Sequence, residues 1–241
     1  MVEVSVGKQE DSSFRLGLQG GISIAIGYAP IALTYGLLAK TSGLTLLETV
    51  LMSLIVFAGA SQYMALSMFA LGTGAIEIIM TTFIVNIRHF LMSASLNEKM
   101  EEDARWKKAI YAFGITDETF SVAATKPDTV KTGYIFGIIT LAYSSWVICS
   151  AIGFAIGARL PQVLQESMAI SLYAMFIGLL VPSMKKSVKV GCLALLAAVF
   201  NSLFVYSGVM GKGWAIVAAT LFSSIIIEIV EMVKNKGGMI K

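Results

Sequence analysis

The sequence predicts an all-α polytopic membrane protein with about seven transmembrane helices and a short re-entrant or interfacial segment. Hydrophobic residues make up 56% of the 241 residues and charged residues only 14%, against about 25% charged residues in a soluble domain. The apolar residues form runs long enough to cross a bilayer as helices, which takes about 20 residues each. The runs lack the alternation that marks a membrane β-barrel. We expect one membrane domain over residues 1–241.

The predicted spans are the apolar runs 16–39, 48–71, 76–96, 132–157, 167–184, 190–209 and 213–233. Pro30 lies inside the first run, with Gly27 three residues before it. Proline removes a backbone donor and clashes with the preceding turn, so the segment Gly27-Tyr28-Ala29-Pro30 predicts a kink or a short break. Carbonyls freed by a break suit a cation or a substrate ammonium. A kink that serves only packing explains the same residues.

A shorter eighth run, 109–125, carries Asp117 and Glu118, and the topology depends on whether it crosses. Lysine and arginine concentrate in cytoplasmic loops. These residues divide most unevenly between the two sides if the short run does not cross. The sequence therefore predicts an external N-terminus, a cytoplasmic C-terminus, and a re-entrant or interfacial segment within a cytoplasmic linker, 97–131.

This topology makes a 3+3 inverted repeat a candidate architecture. The first set of three spans, 16–96, would start on the outside, and the second set, 132–209, would start on the inside. The final helix 213–233 belongs to neither set. The two sets share weak features, such as an asparagine in the third span of each, Asn86 and Asn201. Opposed orientation with internal similarity is typical of inverted-repeat transporters that bind their substrate at the midplane. Each set also begins with a glycine-rich span. Such helices are common in all membrane proteins, so two unrelated halves are equally consistent with the sequence.

The segment Asn86-Ile87-Arg88-His89 interrupts the apolar run 76–96 and contains the only histidine of the chain. A guanidinium inside the membrane costs about 2.5–3.5 kcal/mol on insertion scales, so such residues usually face the protein interior or an aqueous cavity. We therefore expect Arg88 to bind a solute carboxylate, with Asn86 beside it and His89 as a proton relay. Each role has an alternative. Arg88 snorkels to the membrane interface, with its stem buried and its guanidinium in water. His89 is a structural hydrogen-bond donor and takes no part in proton transfer.

A second candidate segment is Phe57-Ala58-Gly59-Ala60-Ser61-Gln62-Tyr63. Small residues allow another backbone to approach closely, and Gln62 supplies donors and an acceptor. Phe57, Gly59 and Gln62 are therefore candidate substrate-binding residues, together with Gly27. A helix–helix contact through Gln62 would use the same residues. A remote alternative is an intramembrane hydrolase with Ser61 as nucleophile and His89 as base, although the glycine expected after such a serine is missing.

The third candidate segment is Gly114-Ile115-Thr116-Asp117-Glu118-Thr119-Phe120. Adjacent residues of a helix point to different sides, so Asp117 and Glu118 need not share a partner. One could pair with Arg88, and one could carry a coupling proton or hold a substrate ammonium. As an alternative, Thr116 or Asp117 caps a short helix and Glu118 is solvated in its first turn.

Other kinds of site are not predicted. Cys149 and Cys192 lie inside apolar runs and indicate neither a disulfide framework nor a metal site. No catalytic motif or cofactor site is expected. Basic loops explain the net charge of +3 better than nucleic-acid binding does.

Five segments of the chain belong together. In order, they are Tyr28-Ala29-Pro30, Phe57-Ala58-Gly59-Ala60-Ser61-Gln62-Tyr63, Val85-Asn86-Ile87-Arg88-His89, Thr116-Asp117-Glu118-Thr119-Phe120 and Phe176-Ile177-Gly178-Leu179-Leu180-Val181-Pro182. Together these segments resemble the AzlC family, the large subunits of branched-chain amino acid export permeases, also called the LIV-E family. The Asn-X-Arg-His and Thr-Asp-Glu-Thr strings within one multispan chain are the most specific part of this resemblance.

The resemblance implies a multi-pass protein of a prokaryotic plasma membrane that exports valine, leucine, isoleucine or analogues, driven by a proton or ion gradient. It also implies a small hydrophobic partner subunit of the AzlD type. Family members often carry an acidic residue shortly before the Phe-Ile-X-Leu-Leu-Val-Pro string, but residues 167–172 contain none here. This difference bears on specificity and coupling. An accessory subunit or a channel for small solutes remains an alternative.

Overall fold

The computed structural model of the protein describes residues 2–157 and 187–238, together with positions 161, 163, 177, 178, 180, 181, 184 and 185. The helices are α1 (Val2–Thr41), α2 (Leu46–Ile55), α3 (Gly59–Ala70), α4 (Ala75–Asn97), α5 (Arg105–Phe113), α6 (Asp117–Ala124), α7 (Thr132–Gly157), α8 (Val188–Ser207) and α9 (Lys212–Gly238). The described residues contain no strand beyond an isolated bridge between Met100 and Val130. The all-α class is confirmed.

Five helices among the described residues are long and apolar enough to cross a membrane. They are Ser12–Thr41, Ala75–Asn97, Thr132–Ile156, Val188–Ser207 and Gly213–Val233. Each coincides with a predicted run. The predicted run 167–184 falls largely outside the described residues. The remaining predicted run, 48–71, is not a single helix.

Two compact units make up the fold, the first from residues 1–67 and 85–171 and the second from residues 68–84 and 172–241. All the candidate site residues named above belong to the first unit. In the second unit, Glu77 accepts a hydrogen bond from the backbone N–H of Trp214 at 3.1 Å, which satisfies a free donor at the start of α9. Lys189 of α8 pairs with Glu228 and Glu231 of α9. Lys189 thus joins α8 to α9, and Glu77 joins α4 to α9.

The frame of the first unit is the close packing of α1 against α7. A Cβ added at Gly17 would lie 2.1 Å from the carbonyl oxygen of Tyr134, and one added at Gly36 would lie 2.0 Å from that of Ser150. Only hydrogen fits between the backbones at these points, which is how small residues let membrane helices approach. Because residue numbers rise together along both helices, α1 and α7 run in the same direction.

The opposite orientation predicted for the runs 16–39 and 132–157 is therefore wrong. The first helices of the two proposed halves, 16–96 and 132–209, are therefore parallel. The opposed orientation on which the predicted inverted repeat depends is absent for this pair. No break forms at Gly27-Tyr28-Ala29-Pro30, because α1 continues through Pro30, and a kink there stays a prediction. Within the described residues, the first unit has two breaks at other places.

The first break lies at residues 56–58, between α2 and α3. Thr45 caps α2 together with Glu48 in a capping box, and the hydroxyl of Tyr143 donates to the carbonyl of Leu54 at 2.7 Å near the end of α2. Phe57 at the break packs against Tyr28, in the middle of α1, with ring centroids 6.1 Å apart.

After the break, α3 runs back toward the C-terminal end of α1, near which α2 begins. In α3, the hydroxyl of Tyr63 donates to the carbonyl of Ile31 at 2.6 Å, and its ring lies edge-on to Tyr35. Contacts along α1 thus move from residue 28 at the break to residues 31 and 35 after it. The prediction of one crossing helix over 48–71 is wrong, because α2 and α3 form a hairpin.

The second break lies at residues 114–116, between α5 and α6. The two ends of this hairpin meet, because Lys99 donates to the carbonyl of Ala124 at 2.7 Å and the N–H of Val130 donates to the carbonyl of Lys99 at 2.9 Å. The tip reaches Tyr28 in the middle of α1. This hairpin has the form of the predicted re-entrant segment, and it enters from the end of the unit that is opposite to the α2–α3 hairpin.

These directions also change the predicted topology of the first unit. The N-terminal end of α1 lies on the same side as the ends of the α5–α6 hairpin. Basic residues at this side are Arg15, Lys99, Arg105, Lys107, Lys108, Lys126 and Lys131, whereas Lys40 is the basic residue at the opposite side of the described unit. Since basic loops are usually cytoplasmic, this distribution favours a cytoplasmic N-terminus of α1 over the external one that the sequence predicts.

Labelling of single cysteines tests this assignment. In a variant with Cys149 and Cys192 replaced by serine, we expect a membrane-impermeant maleimide to label Thr41→Cys in intact cells. Asp128→Cys, in the loop before α7, should react only after the membrane is permeabilised. Labelling of Asp128→Cys but not Thr41→Cys in intact cells would restore the external N-terminus.

Candidate functional site

The tips of both hairpins meet at Tyr28, whose side chain is buried. Its hydroxyl donates to Oε2 of Glu118 at 2.6 Å and lies 2.7 Å from the hydroxyl of Thr116. Its ring lies edge-on to Phe57 and to Trp146, with centroids 6.1 and 5.4 Å away. One residue of α1 thus contacts the α2–α3 hairpin, the α5–α6 hairpin and α7. We call these five residues the central cluster.

The start of α6 places one carboxylate, that of Glu118, in this cluster and a second, that of Asp117, beside it. Thr116 caps the helix, because its hydroxyl accepts from the N–H of Thr119 at 3.2 Å and its own N–H donates to the hydroxyl of Thr119 at 2.7 Å. Asp117 and Glu118 follow in the first turn, where the helix dipole favours negative charge. The capping alternative is therefore confirmed for Thr116. Glu118, however, is bonded to Tyr28 rather than held only by water.

Arg88 of α4 and Asp117 form an ion pair. Nη1 of Arg88 lies 3.0 Å from Oδ2 of Asp117, and the two side chains are 36% and 24% exposed. The structure thus gives Arg88 one of the two carboxylates that the sequence offered as partners. Nε of Arg88 is buried and has no hydrogen-bond partner among the described residues. The guanidinium therefore keeps donor capacity beyond the ion pair.

His89 and Asn86 lie on either side of this arginine in sequence and have separate partners. His89 interacts with the backbone of Ile115 at the second break, and its Nε2 is buried without a partner in the described part of the chain. Oδ1 of Asn86 accepts a hydrogen bond from the hydroxyl of Ser61 at 2.5 Å. Ser61 is therefore bonded to an amide rather than to an imidazole, which gives no support to the hydrolase alternative.

Gln62 has a fixed orientation. Its Oε1 accepts a hydrogen bond from Nε1 of Trp146 at 2.8 Å. An indole N–H can only donate, so the amide oxygen must face the indole and the amide nitrogen must point away. The side chain is completely buried, and Nε2 has no partner among the described residues. Gly59 lets Trp146 approach α3, because an added Cβ would lie 2.5 Å from the indole ring.

The structure brings most of the predicted site residues to one region. Arg88, Asp117 and His89 meet at the second break, and Phe57 and Glu118 meet at Tyr28. Gly59 and Gln62 are connected to the same region through Trp146, and Asn86 is bonded to Ser61. Gly27 is different, because it is exposed and an added Cβ would meet nothing within 4 Å.

Sequence reasoning missed Tyr28 and Trp146 as site residues. The sequence indicates Tyr28 only as part of the expected kink and of the family segment Tyr28-Ala29-Pro30, and it assigns Trp146 no role in the site. A signal for Trp146 was available, since it lies near the middle of the run 132–157 and not at an end, where an interfacial tryptophan is expected.

A comparison with protein families identifies the chain. A family model described as AzlC protein matches residues 23–160. This stretch is more than half of the chain and includes every candidate residue named above. The chain belongs to the AzlC family.

Relatives of the chain occur in bacteria and archaea. The chain is 30% identical to the inner membrane protein YgaZ of Escherichia coli K12, over 88% of this chain and 83% of the relative. It is 32% identical to an uncharacterized membrane protein of Archaeoglobus fulgidus, over 73% and 78%. It is 26% identical to the branched-chain amino acid transport protein AzlC of Bacillus subtilis, over 74% and 70%. No solved structure has a significant similarity to the chain.

The family and these relatives support a role in membrane transport, and the relatives are named as membrane proteins. This agrees with a multi-pass chain whose described residues include five apolar helices of spanning length.

Two glycines with opposite surroundings provide a matched test of the site geometry. Gly59→Ala places a methyl group against the indole of Trp146, and overpacking of this kind costs about 1–3 kcal/mol. Gly27→Ala meets open space and should be neutral or gain up to about 1 kcal/mol of helix propensity. We expect the melting temperature of the detergent-solubilised protein to fall for Gly59→Ala and not for Gly27→Ala. Equal melting temperatures would show that Trp146 does not pack on Gly59.

Proposed function

We propose that the protein exports valine, leucine, isoleucine or analogues of these across a prokaryotic plasma membrane, in exchange for protons or another ion. The ion pair between Arg88 and Asp117 carries this proposal, because it places both charges needed for an amino acid at the tip of a re-entrant hairpin. Further support comes from the family and from a relative named for branched-chain amino acid transport.

The substrate has the same charges as this ion pair. A branched-chain amino acid is a zwitterion, and burying it is costly unless the carboxylate and the ammonium are both paired. In the proposed mechanism the substrate carboxylate replaces Asp117 on Arg88, whose planar fork suits bidentate binding of a carboxylate. Asp117 is then free to pair with the ammonium. One internal ion pair is exchanged for two pairs with the ligand, and the total charge of the site stays constant.

The rest of the site supplies polar contacts and an apolar wall. Gln62 offers a buried amide nitrogen without a partner among the described residues, and Asn86 lies two residues from Arg88. Phe57 provides an apolar surface for an aliphatic side chain. Gly59 acts through the packing of Trp146. Gly27, although predicted as a ligand contact, has no part in this mechanism because it faces away from the other candidates.

Two further elements of the proposal come from the family. We propose that the protein acts with a small hydrophobic membrane subunit of the AzlD type, as the resemblance implies. We also propose that the C-terminus lies in the cytoplasm, as the sequence predicts. Joint expression of both subunits should raise the export of valine from cells that are fed valine-containing dipeptides.

A conservative substitution tests the role of Arg88. Arg88→Lys keeps the charge but loses the bidentate fork. A hydrogen bond to a charged group contributes about 1.5–3 kcal/mol, which corresponds to a loss of apparent affinity of about 10- to 100-fold. We expect this loss in the exchange of labelled leucine in proteoliposomes, measured on the protein purified together with its co-expressed small subunit. Arg105→Lys, at an exposed position, is the control and should behave like the wild type.

The same assay separates the alternatives. Wild-type affinity in a well-expressed Arg88→Lys variant would rule out the carboxylate role. A channel would release leucine down its gradient but would never concentrate it. An accessory subunit would lose assembly with its partner on substitution of Arg88, rather than affinity for leucine.

A double variant distinguishes the internal ion pair from its role in transport. Arg88→Gln and Asp117→Asn each leave an unpaired, partly buried charge, so each should lower the melting temperature of the solubilised protein. The double variant removes both charges and should regain most of that stability while leucine exchange stays lost. Additive losses of stability in the double variant would mean that the two side chains do not interact.

A further inference from the structure

The two adjacent carboxylates of α6 have different partners. Asp117 is paired with Arg88 at 3.0 Å. Glu118 instead accepts a hydrogen bond from the neutral hydroxyl of Tyr28 at 2.6 Å. No lysine, arginine or histidine among the described residues lies within ion-pair distance of Glu118.

We propose that Glu118, and not Asp117, carries the coupling proton, and that Tyr28 positions it. This inference rests on the proposed function. Protonation of Asp117 would cost its ion pair with Arg88. Protonation of Glu118 costs only a hydrogen bond that can be remade with its direction reversed, as the geometry of Tyr28 and Thr116 shows.

The hydrogen bonds around Tyr28 can reverse. With Glu118 ionised, the single phenolic proton of Tyr28 points to Glu118, and Thr116 donates to Tyr28 across 2.7 Å. With Glu118 protonated, its O–H donates to the phenolic oxygen, and the phenolic proton turns to Thr116. The hydroxyl of Thr116 then donates to that of Thr119, 3.3 Å away. Every hydroxyl keeps a partner in both states, which a buried group requires.

Protonation also weakens the attachment of the hairpin tip. A hydrogen bond to an ionised carboxylate is roughly twice as strong as a neutral one. Tyr28 belongs to α1, whereas Thr116 and Glu118 belong to the α5–α6 hairpin. A proton on Glu118 therefore loosens the tip from α1, while a substrate carboxylate on Arg88 loosens the same tip from α4. One hairpin then responds to both the substrate and the proton, which is what coupling requires.

The other groups near Glu118 are consistent with this division. The charged or titratable groups at this point are Tyr28 of α1, Arg88 and His89 of α4, and Asp117 of α6. Phe57 of α2–α3 and Trp146 of α7 border the ring of Tyr28 and are neutral. In the proposed cycle a carboxylate oxygen of Glu118 gains a proton from the external side. The protein, without substrate but with Glu118 protonated, then returns to the state open to the cytoplasm, where the proton is released.

Two measurements in proteoliposomes, on the protein purified together with its co-expressed small subunit, test this inference. The first is accumulation of labelled leucine against its gradient, driven by an imposed pH difference. The second is exchange of leucine for leucine at equal pH. We expect Glu118→Gln to reduce accumulation at least about tenfold while exchange persists, because the amide oxygen still accepts from Tyr28. Asp117→Asn should lose both activities. Glu98→Gln, the same change at an exposed position, is the control and should retain both.

Each result has a defined meaning. Accumulation retained in Glu118→Gln would overturn the inference, as would loss of exchange in a variant that elutes as a folded, monodisperse protein, since Glu118 would then contact the substrate. Absence of leucine exchange in the wild type would overturn the proposed function as well.

Tyr28→Phe is a second variant that does not depend on the folding of Glu118→Gln. It should shift the pH dependence of accumulation, because Glu118 loses its hydroxyl partner, while leucine exchange at neutral pH continues. A pH profile identical to that of the wild type would overturn the positioning role of Tyr28.

Discussion

The close contact between α1 and α7 is the constraint on which the first unit depends. Their backbones approach so closely at Gly17, Gly36 and Gly153 that any side chain there would meet a carbonyl oxygen. Helices in a lipid environment gain little from the hydrophobic effect, so dense packing of this kind provides much of their association. The contact also brings the rings of Tyr28 and Trp146 together in a T-shaped, edge-to-face arrangement. These two aromatic residues are the surface against which both hairpins end.

Broken helices inside a membrane protein must satisfy their free backbone groups internally. The hydroxyl of Tyr143 accounts for the carbonyl of Leu54 at the first break, and Thr116 with Thr119 accounts for free N–H groups at the second. The polar residues that satisfy the breaks thus lie beside those that would bind a substrate. Irregular backbone and chemical function occur together, because a substrate and a broken helix need the same unpaired donors and acceptors.

The sequence predicted the class, five of the described spans and the pairing of Arg88 with an acidic residue, because hydropathy and buried charge are local signals. It failed where tertiary contacts decide. The run 48–71 is continuously apolar, and only the contacts of Phe57 and Tyr63 with α1 show that it turns back. Pro30 suggested a break that does not form. Tyr28 was overlooked because a tyrosine in an apolar run shows its role only through its partners, Thr116 and Glu118.

The glycine contact between α1 and α7 has a mechanical consequence. Where backbones touch without intervening side chains, no rotamer change can absorb a displacement of one helix against the other. We infer that these two helices form a stationary post through the cycle. The hairpins contact these two helices through hydroxyl groups and aromatic rings at Tyr28, Tyr143 and Trp146. Any movement within the first unit would then be confined to the short helices of the two hairpins.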